Sequence, residues 1–165
     1  MKKILTTLIA LTLFAGAASP VVRPAPDIGF TGIGGKKNLR SLRGQPVVLI
    51  VAQSPKTRAF RKQLGRIKTI YNEFASRGTV FVCAFNAEEG SVPSDIPFVL
   101  ASNGPAVTQA YGMNDGFAIA IIGRDGNLDL LTEKVIPAFR IREVIQNSYE
   151  VQNDVRKQQP KGPPQ

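Results

Sequence analysis

A run of apolar, largely β-branched residues near the middle of the chain is the feature that most constrains its fold. Residues 46–52 read Pro-Val-Val-Leu-Ile-Val-Ala, and residues 79–85 read Thr-Val-Phe-Val-Cys-Ala-Phe. Continuous runs of this kind, without polar alternation, are typical of strands that are covered on both faces. The first run is therefore predicted to be a central strand of a sheet, and the second to be another buried strand.

The segment between these two runs predicts a helix. Ser54 is a good N-cap and Pro55 suits the first helical position. Apolar residues then recur at spacings of four, three, four and three, as on one face of an amphipathic helix: Phe60, Leu64, Ile67, Tyr71 and Phe74. We predict one long helix that ends near Gly78, and hence a βαβ unit with parallel strands and a right-handed crossover.

The second half of the domain has a different pattern. A short helix is predicted at residues 104–111, a third apolar strand at residues 117–122 and an antiparallel strand at residues 128–131. The sequence Arg-Asp-Gly-Asn at residues 124–127 favours a hairpin turn between these strands. A last helix, opened by Pro137, carries one stripe formed by Ile141, Val144, Ser148, Val151 and Val155. The predicted architecture is α/β with a mixed sheet.

Both ends of the chain differ in composition from its centre. Residues 1–17 combine two lysines, an apolar stretch and the small-residue pattern Ala-Gly-Ala, which is typical of a secretory signal peptide. The apolar stretch is shorter than the roughly 18 to 20 residues that cross a bilayer, so we expect cleavage, export to the periplasm or extracellular space, and no transmembrane span in the mature form. Residues 18–27 are predicted to be an extended lead-in, residues 28–157 the folded domain and residues 158–165 a disordered tail.

The chain contains no histidine and one cysteine, Cys83. These counts exclude a Ser-His-Asp triad, a Cys-His dyad, a histidine metal site, an internal disulfide and a cysteine-rich zinc site. Because Cys83 lies within the second buried run, we interpret it as a structural thiol rather than a nucleophile. We predict no catalytic residue, metal or cofactor.

The predicted order of elements over residues 28–148 resembles that of thioredoxin-like proteins. Residues 39–49, Leu-Arg-Ser-Leu-Arg-Gly-Gln-Pro-Val-Val-Leu, are similar to the segment that leads into the first central strand of thioredoxin-like and peroxiredoxin-like proteins. The resemblance implies a CxxC motif or a peroxidatic cysteine between that strand and the next helix, where this chain has Ser54, Pro55, Lys56 and Thr57. It also implies a cis-proline before the third strand, where this chain has Phe117. Thiol–disulfide exchange needs a thiolate, so the missing cysteines imply a redox-inactive relative.

A narrower resemblance lies in residues 116–126, Gly-Phe-Ala-Ile-Ala-Ile-Ile-Gly-Arg-Asp-Gly, with the helix that carries Arg140, Arg142 and Glu143. This region is similar to a thioredoxin-like domain family of unknown function, found in exported bacterial proteins and in animal matrix proteins of the sushi-repeat and coiled-coil-domain-containing types. In that family, too, glycine-phenylalanine replaces the cis-proline region. The chain lacks the family's methionine-rich helix ending. The resemblance implies an exported, redox-inactive module and no catalytic residues.

Positive charge is concentrated in one part of the chain. The formal net charge is +9, and residues 28–72 contain no acidic residue. Cations in the first turn of a helix oppose its dipole by about 0.3 to 1 kcal/mol each, and a bound phosphate, sulfate or carboxylate would offset that cost. The candidate anion site consists of Ser54, Lys56, Arg58, Arg61 and Lys62, and the alternative is a solvated basic face. The ten cations of this segment are Lys36, Lys37, Arg40, Arg43, Lys56, Arg58, Arg61, Lys62, Arg66 and Lys68.

These observations leave two classes of function open. The first is an exported interaction module whose basic helix face binds an anionic envelope component or an acidic partner protein. The second is a thioredoxin-fold accessory or chaperone-like protein of an envelope thiol system, without CxxC chemistry of its own. Charge alone suggests nucleic-acid binding, but the basic helix lacks interleaved aromatic residues and export conflicts with this function, so no nucleic-acid partner is expected. The oligomeric state stays open.

Overall fold

The structure, a computed structural model, describes residues 23–32, 35–87, 92, 94–112 and 116–158. The signal peptide predicted at residues 1–17, the first part of the predicted lead-in and all but the first residue of the predicted tail lie outside the described residues. No helix among the described residues is long and apolar enough to cross a membrane.

The centre of the fold is a five-stranded mixed sheet with the order β5-β4-β3-β6-β7. Strand β3 (Val47–Ala52) runs parallel to β4 (Val80–Phe85) and antiparallel to β6 (Phe117–Ile122). Strand β5 (Val99–Leu100) pairs in parallel with β4, and β7 (Leu128–Thr132) pairs antiparallel with β6. The predicted central strand, the parallel pair and the mixed sheet are all confirmed.

All six residues of β3 are buried, and their side chains pack into two separate core layers. Val48, Ile50 and Ala52 belong to one layer, whereas the alternating residues Val47, Leu49 and Val51 belong to the other. Successive side chains of a strand point to opposite faces of the sheet, so a strand that is apolar at every position requires cover on both sides. The uninterrupted apolar run in the sequence is thus explained by the position of β3.

The connection between β3 and β4 differs from the single helix predicted. It contains α1 (Arg58–Lys68) and a separate short helix, α2 (Tyr71–Ala75). The chain turns between them, where the Ile70 N–H donates to the Ile67 carbonyl and the Thr69 hydroxyl donates to the Arg66 carbonyl. Bonds between residues three apart tighten the chain and end the α-helix, and threonine hydroxyls compete for the carbonyls that would continue it. The prediction of one long helix was therefore wrong.

The predicted N-cap of this helix was also wrong. The helix α1 begins at Arg58, and the side chain of its N-cap residue, Thr57, makes no capping hydrogen bond. The Ser54 hydroxyl instead accepts a hydrogen bond from the Lys56 N–H at 3.2 Å, and the Thr57 N–H donates to the Ser54 carbonyl at 3.3 Å. Serine forms such local turns readily, and here the turn separates Ser54 from the helix.

Two strands near the start of the described chain had no prediction. Strand β1 (Gly29–Gly32) pairs antiparallel with β2 (Gly35–Asn38), and Phe30 of β1 also bridges to Ala101, just after β5. This hairpin covers part of the outer edge of the central sheet, which would otherwise expose unpaired backbone groups. Its glycine and lysine residues lack the apolar alternation that marks a strand in sequence.

The other edge of the sheet is also partly covered by residues near the start of the chain. Pro24 forms a bridge with Asn127, the Ala25 N–H donates to the Gly126 carbonyl at 3.1 Å, and the Leu128 N–H donates to the Arg23 carbonyl at 2.8 Å. These bonds lie at the turn between β6 and β7, where Gly126 takes a positive φ of 83°. The predicted Arg-Asp-Gly-Asn hairpin is confirmed.

Two helices complete the layers. Helix α3 (Gly104–Ala110) confirms the short helix predicted at residues 104–111 and packs on β4. Helix α4 (Ala138–Gln158) covers the sheet through the buried residues Ile141 and Ile145. Of the predicted stripe on α4, Ile141 is buried and Val144 is partly buried, whereas the side chains of Val151 and Val155 lie outside the description.

A buried glutamine ties α1 to the segment that precedes α4. The Gln63 side chain is fully buried, and its Oε1 accepts a hydrogen bond from the Ile136 N–H at 2.9 Å. The Arg66 guanidinium donates to the neighbouring Val135 carbonyl at 3.2 Å. These bonds satisfy backbone groups of a loop that has no strand partner, and they fix the rotation of α1 about its axis.

Two helical glycines should respond in opposite ways to alanine. A Cβ added at Gly104 would overlap the carbonyl oxygen of Phe85, whereas a Cβ at Gly65 would meet nothing within 4 Å. We therefore expect Gly104→Ala to lower the free energy of unfolding by about 2 kcal/mol or more, because α3 must move away from β4. Gly65→Ala should raise it by about 0.5 to 1 kcal/mol, because alanine favours the helix.

Urea denaturation monitored by circular dichroism measures both changes. Equal effects of the two substitutions would contradict the close contact between α3 and β4.

Candidate functional site

The candidate site lies where β3 ends. The Gln53 N–H donates to the Gly116 carbonyl at 3.1 Å, and Ala52 pairs in register with Phe117. The turn at residues 54–57 follows directly and leads into α1. The two segments that the resemblance singled out, residues 54–57 and Phe117, therefore lie at the same end of the sheet.

The cysteine of the chain lies away from this turn. Cys83 is in the middle of β4, paired in register with Ile50, and its exposed fraction is 0%. Burial raises the pKa of its thiol well above the usual value, since desolvation disfavours the thiolate. Only the thiolate attacks a disulfide or a peroxide, so Cys83 is poorly placed for either reaction.

Helix α1 separates its apolar and basic residues onto opposite faces. Phe60, Gln63, Leu64 and Ile67 are buried against the core. Arg58, Arg61 and Lys62, spaced by three and four residues, share the exposed face of the same helix. Lys56, in the preceding turn, is exposed as well. Three of the predicted site residues are thus brought together by the helical spacing.

The cations of α1 fall into two groups by their partners. In the last turn, Lys68 pairs with Asp95 and lowers the pKa of that carboxyl, while Arg66 donates to a backbone carbonyl. Within the part of the chain that the structure describes, no carboxylate forms an ion pair with Arg58, Arg61 or Lys62. The positive charge at the start of α1 therefore lacks a described counter-charge.

Backbone amides add to the positive potential at this point. The first backbone hydrogen bond of helix α1 runs from the Arg61 N–H to the Thr57 carbonyl, at 3.1 Å. The amides of residues 58–60 precede that bond, and in an α-helix such amides have no partner inside the helix. Helix N-termini of this kind bind anions through the free amides and the helix dipole. Ser54 is not the N-cap of α1. It lies in the preceding turn, where its hydroxyl accepts a hydrogen bond from the Lys56 N–H.

A cavity at the same end of the sheet was missed by the sequence interpretation. Its volume is about 900 Å³, and it lies beside the ends of β4 and β5 and the start of α3. The described lining residues carry no charge and mix apolar and polar side chains, among them Phe85, Leu100, Asn86, Ser102 and Asn103. Its walls come from segments distant in sequence, so no local motif announces it.

The chain resembles known proteins in structure rather than in sequence. No protein-family model matches the chain, and no curated protein matches it. A structure described as the thiol:disulfide interchange protein DsbE of Chlorobium tepidum matches with a TM-score of 0.62 and 19% identity, covering 77% of this chain and 96% of that one. The fold is thioredoxin-like. The predicted fold class is thereby confirmed.

Two further matches support the same fold. Thioredoxin peroxidase I of Plasmodium yoelii matches with a TM-score of 0.61 and 13% identity, over 86% of this chain and 95% of that chain. A structure described as a protein disulfide isomerase of Bacteroides thetaiotaomicron matches with a TM-score of 0.59 and 17% identity, over 79% and 92%. At these identities the likeness establishes the thioredoxin-like fold and not the chemistry.

We predict that Cys83 is unreactive in the folded protein. Its thiol is fully buried and its pKa is raised, so 5,5′-dithiobis(2-nitrobenzoate) at pH 8 must wait for an opening of the sheet. The labelling rate, followed by absorbance, should be at least about a hundredfold slower than for the urea-unfolded chain. Equal rates for the folded and unfolded chains would show that β4 does not protect the thiol.

Proposed function

We propose that this chain is an exported, redox-inactive thioredoxin-like module that binds an anionic component of the cell envelope, or an acidic partner protein, through the N-terminal half of α1. It would belong to the thioredoxin-like domain family of unknown function that its residues 116–126 resemble. Its signal peptide at residues 1–17 would be removed, leaving the domain at residues 28–157 with its lead-in and tail.

The observation that carries the proposal is the unbalanced charge at the start of α1. Arg58, Arg61 and Lys62 are exposed on one face, with no described carboxylate as an ion-pair partner, whereas Lys68 on the same helix has one. Arg58 lies in the first turn of α1 and costs about 0.3 to 1 kcal/mol through the helix dipole, an effect that falls off beyond that turn. An anion bound there would turn this cost into a gain, because both the side chains and the amides then face a negative charge.

Two facts about the sequence at the thioredoxin-like turn and third strand support the proposed absence of thiol chemistry. The turn where the resemblance implies a reactive cysteine reads Ser54, Pro55, Lys56, Thr57, and Phe117 stands where it implies a cis-proline. Dithiol exchange requires a thiolate that attacks and a second sulfur that resolves the mixed disulfide. The one cysteine of the chain is buried, so it supports neither step.

The ligand is defined by charge and geometry. Three long cationic side chains and a set of backbone amides suit phosphate, sulfate or carboxylate groups on a larger polymer or protein. Such contacts are solvent-exposed, and they weaken as salt shortens the screening length to about 8 Å at physiological ionic strength. Binding should therefore be strong only where several anionic groups are presented together.

Sedimentation with the cell-envelope fraction tests this proposal. We expect residues 18–165 to sediment with envelopes at low salt and to be released as salt rises, because the contacts are electrostatic. The quadruple variant Lys56→Ala, Arg58→Ala, Arg61→Ala, Lys62→Ala should lose most of this association. Immunoblotting of pellet and supernatant gives the bound fraction.

The control removes the same charge elsewhere. The variant Lys36→Ala, Lys37→Ala, Arg40→Ala, Arg43→Ala also loses four cations, and these lie around β2 and the turn that follows it. Retained binding by this control, with loss in the α1 variant, supports a defined site. Equal loss of envelope binding in both variants would show that binding depends only on net charge. Equal retention of binding would show that the α1 face is not the binding site.

The second candidate function is that of a chaperone-like accessory to an envelope thiol system. The neutral cavity of about 900 Å³ favours it, because mixed apolar and amide-bearing walls suit a segment of unfolded peptide. Its test is the aggregation of heated citrate synthase, followed by light scattering with and without this protein. Suppression at stoichiometric amounts, unaffected by the α1 variant, would favour this function, and unchanged aggregation would reject it.

A further inference from the structure

An aromatic side chain near the start of α4 lies in solvent. Phe139 is 65% exposed, and among the residues that the structure describes it is the one large apolar residue that is exposed. The apolar residues around it, Val135, Ile136 and Ala138, are partly buried and pack against the core. Phe139 therefore adds little to the core, and its ring would gain free energy on transfer to an apolar medium.

Helical geometry gives the direction in which Phe139 points. It precedes Ile141 by two positions, and Ile141 is fully buried against the sheet. Two positions on an α-helix correspond to a rotation of about 200°. Phe139 therefore lies on the side of α4 that faces away from the sheet.

Two cations of α1 stand in the same relation to buried residues. Arg58 precedes Phe60 by two positions, and Lys62 precedes Leu64 by two positions. Phe60 and Leu64 are buried, whereas both cations are exposed. By the same rotation of about 200°, Arg58 and Lys62 lie on the side of α1 that faces away from the sheet.

Helices α1 and α4 present these side chains on one face of the molecule. The buried residues of both helices belong to the same core layer, so both helices cover the same face of the sheet. The Gln63 side chain of α1 accepts a hydrogen bond from the Ile136 N–H at 2.9 Å, three residues before Phe139. We call the surface that carries Arg58, Lys62 and Phe139 the outer helical face.

The charge of this face is positive. Within the described residues, no carboxylate forms an ion pair with Arg58 or Lys62. Glu143, one turn after Phe139 on α4, accepts a hydrogen bond from Arg140 at 2.7 Å, so its charge is compensated within its own helix. The outer helical face therefore combines an exposed aromatic ring with cations that no described carboxylate neutralises.

This combination favours an anionic lipid surface over other anionic partners. A soluble polymer of phosphate or carboxylate groups would neutralise the cations but would leave the Phe139 ring in water. A protein interface usually buries several apolar residues at its centre, and this face offers one. A bilayer of anionic lipids supplies both requirements, since its headgroups attract lysine and arginine and its acyl boundary accepts aromatic rings.

We propose that the outer helical face binds the surface of an anionic lipid bilayer, with the Phe139 ring inserted at the level where headgroups meet acyl chains and with Arg58 and Lys62 on lipid phosphates. This inference rests on the proposed function and narrows its anionic envelope component to lipid. Attachment is reversible, because one ring and a few cations hold a protein less firmly than two lipid anchors.

Tryptophan placed at two positions tests the contact directly, because the chain contains no tryptophan. Phe139→Trp puts the fluorophore on the outer helical face. The control, Gln109→Trp, is exposed and follows the buried Val107 by two positions on α3, which covers the opposite face of the sheet. Phosphatidylglycerol vesicles with brominated acyl chains should quench the emission of the first variant and leave that of the second unchanged.

Vesicle sedimentation measures the affinity. Phe139→Ala should weaken binding to phosphatidylglycerol vesicles about tenfold, and the double variant Arg58→Gln, Lys62→Gln should weaken it at least about tenfold. The double variant Lys36→Gln, Lys37→Gln removes the same charge from the exposed strand β2 and should change binding by less than about twofold. All five side chains are exposed, so the melting temperatures should not fall and lost binding is not unfolding.

Three results would overturn this inference. They are equal quenching of the two tryptophans, equal binding to vesicles of phosphatidylcholine, which carry no net charge, and equal loss of binding in the two double variants. If vesicles fail to bind while the quadruple α1 variant still loses its association with envelopes, the proposed function stands and its ligand is a polymer or an acidic protein. If that variant keeps its association with envelopes, the proposed function is rejected together with this inference.

Discussion

The burial of β3 on both faces is the constraint on which the rest of the structure depends. Its six residues pair with β4 on one side and β6 on the other, and its side chains alternate between two core layers. Helices α1, α2 and α4 supply one layer, whereas α3 and the segment around Ile28 and Leu39 supply the other. A fully apolar strand is stable only with both layers present, so the remaining elements are arranged around it.

The candidate anion site and the neutral cavity lie at the end of the sheet where β3 and β4 finish. After Ala52 the chain turns through residues 54–57 into α1, and the cavity lies beside the ends of β4 and β5. Strand ends are where side chains from several elements converge on open space, while the strand itself is inaccessible. Cys83, in the middle of β4, also contributes to the lining of this cavity, but it has no exposed surface.

The cations of the described residues fall into two groups, those that form ion pairs between elements of the fold and those that form none. Glu73 holds Arg142 of α4, and Asp95 holds Lys68 at the end of α1, so these cations connect elements of the fold. The exposed cations at the start of α1 have no such partner among the described residues. Exposed ion pairs contribute little stability, so the fold itself gives no reason for this concentration of charge, and the proposed anion binding rests on it.

The sequence by itself determined the strands β3, β4, β6 and β7, the hairpin before β7, the helices α3 and α4 and the thioredoxin-like class, because buried apolar runs and turn residues are local signals. The tertiary structure alone decided the break between α1 and α2, where local hydrogen bonds outweigh the apolar spacing, and the pairing of β1 and β2 beside β5. It also decided that Thr31, Phe85 and Asn103 line one cavity. These residues are far apart in sequence, and only the packing of helices on a common sheet brings them together.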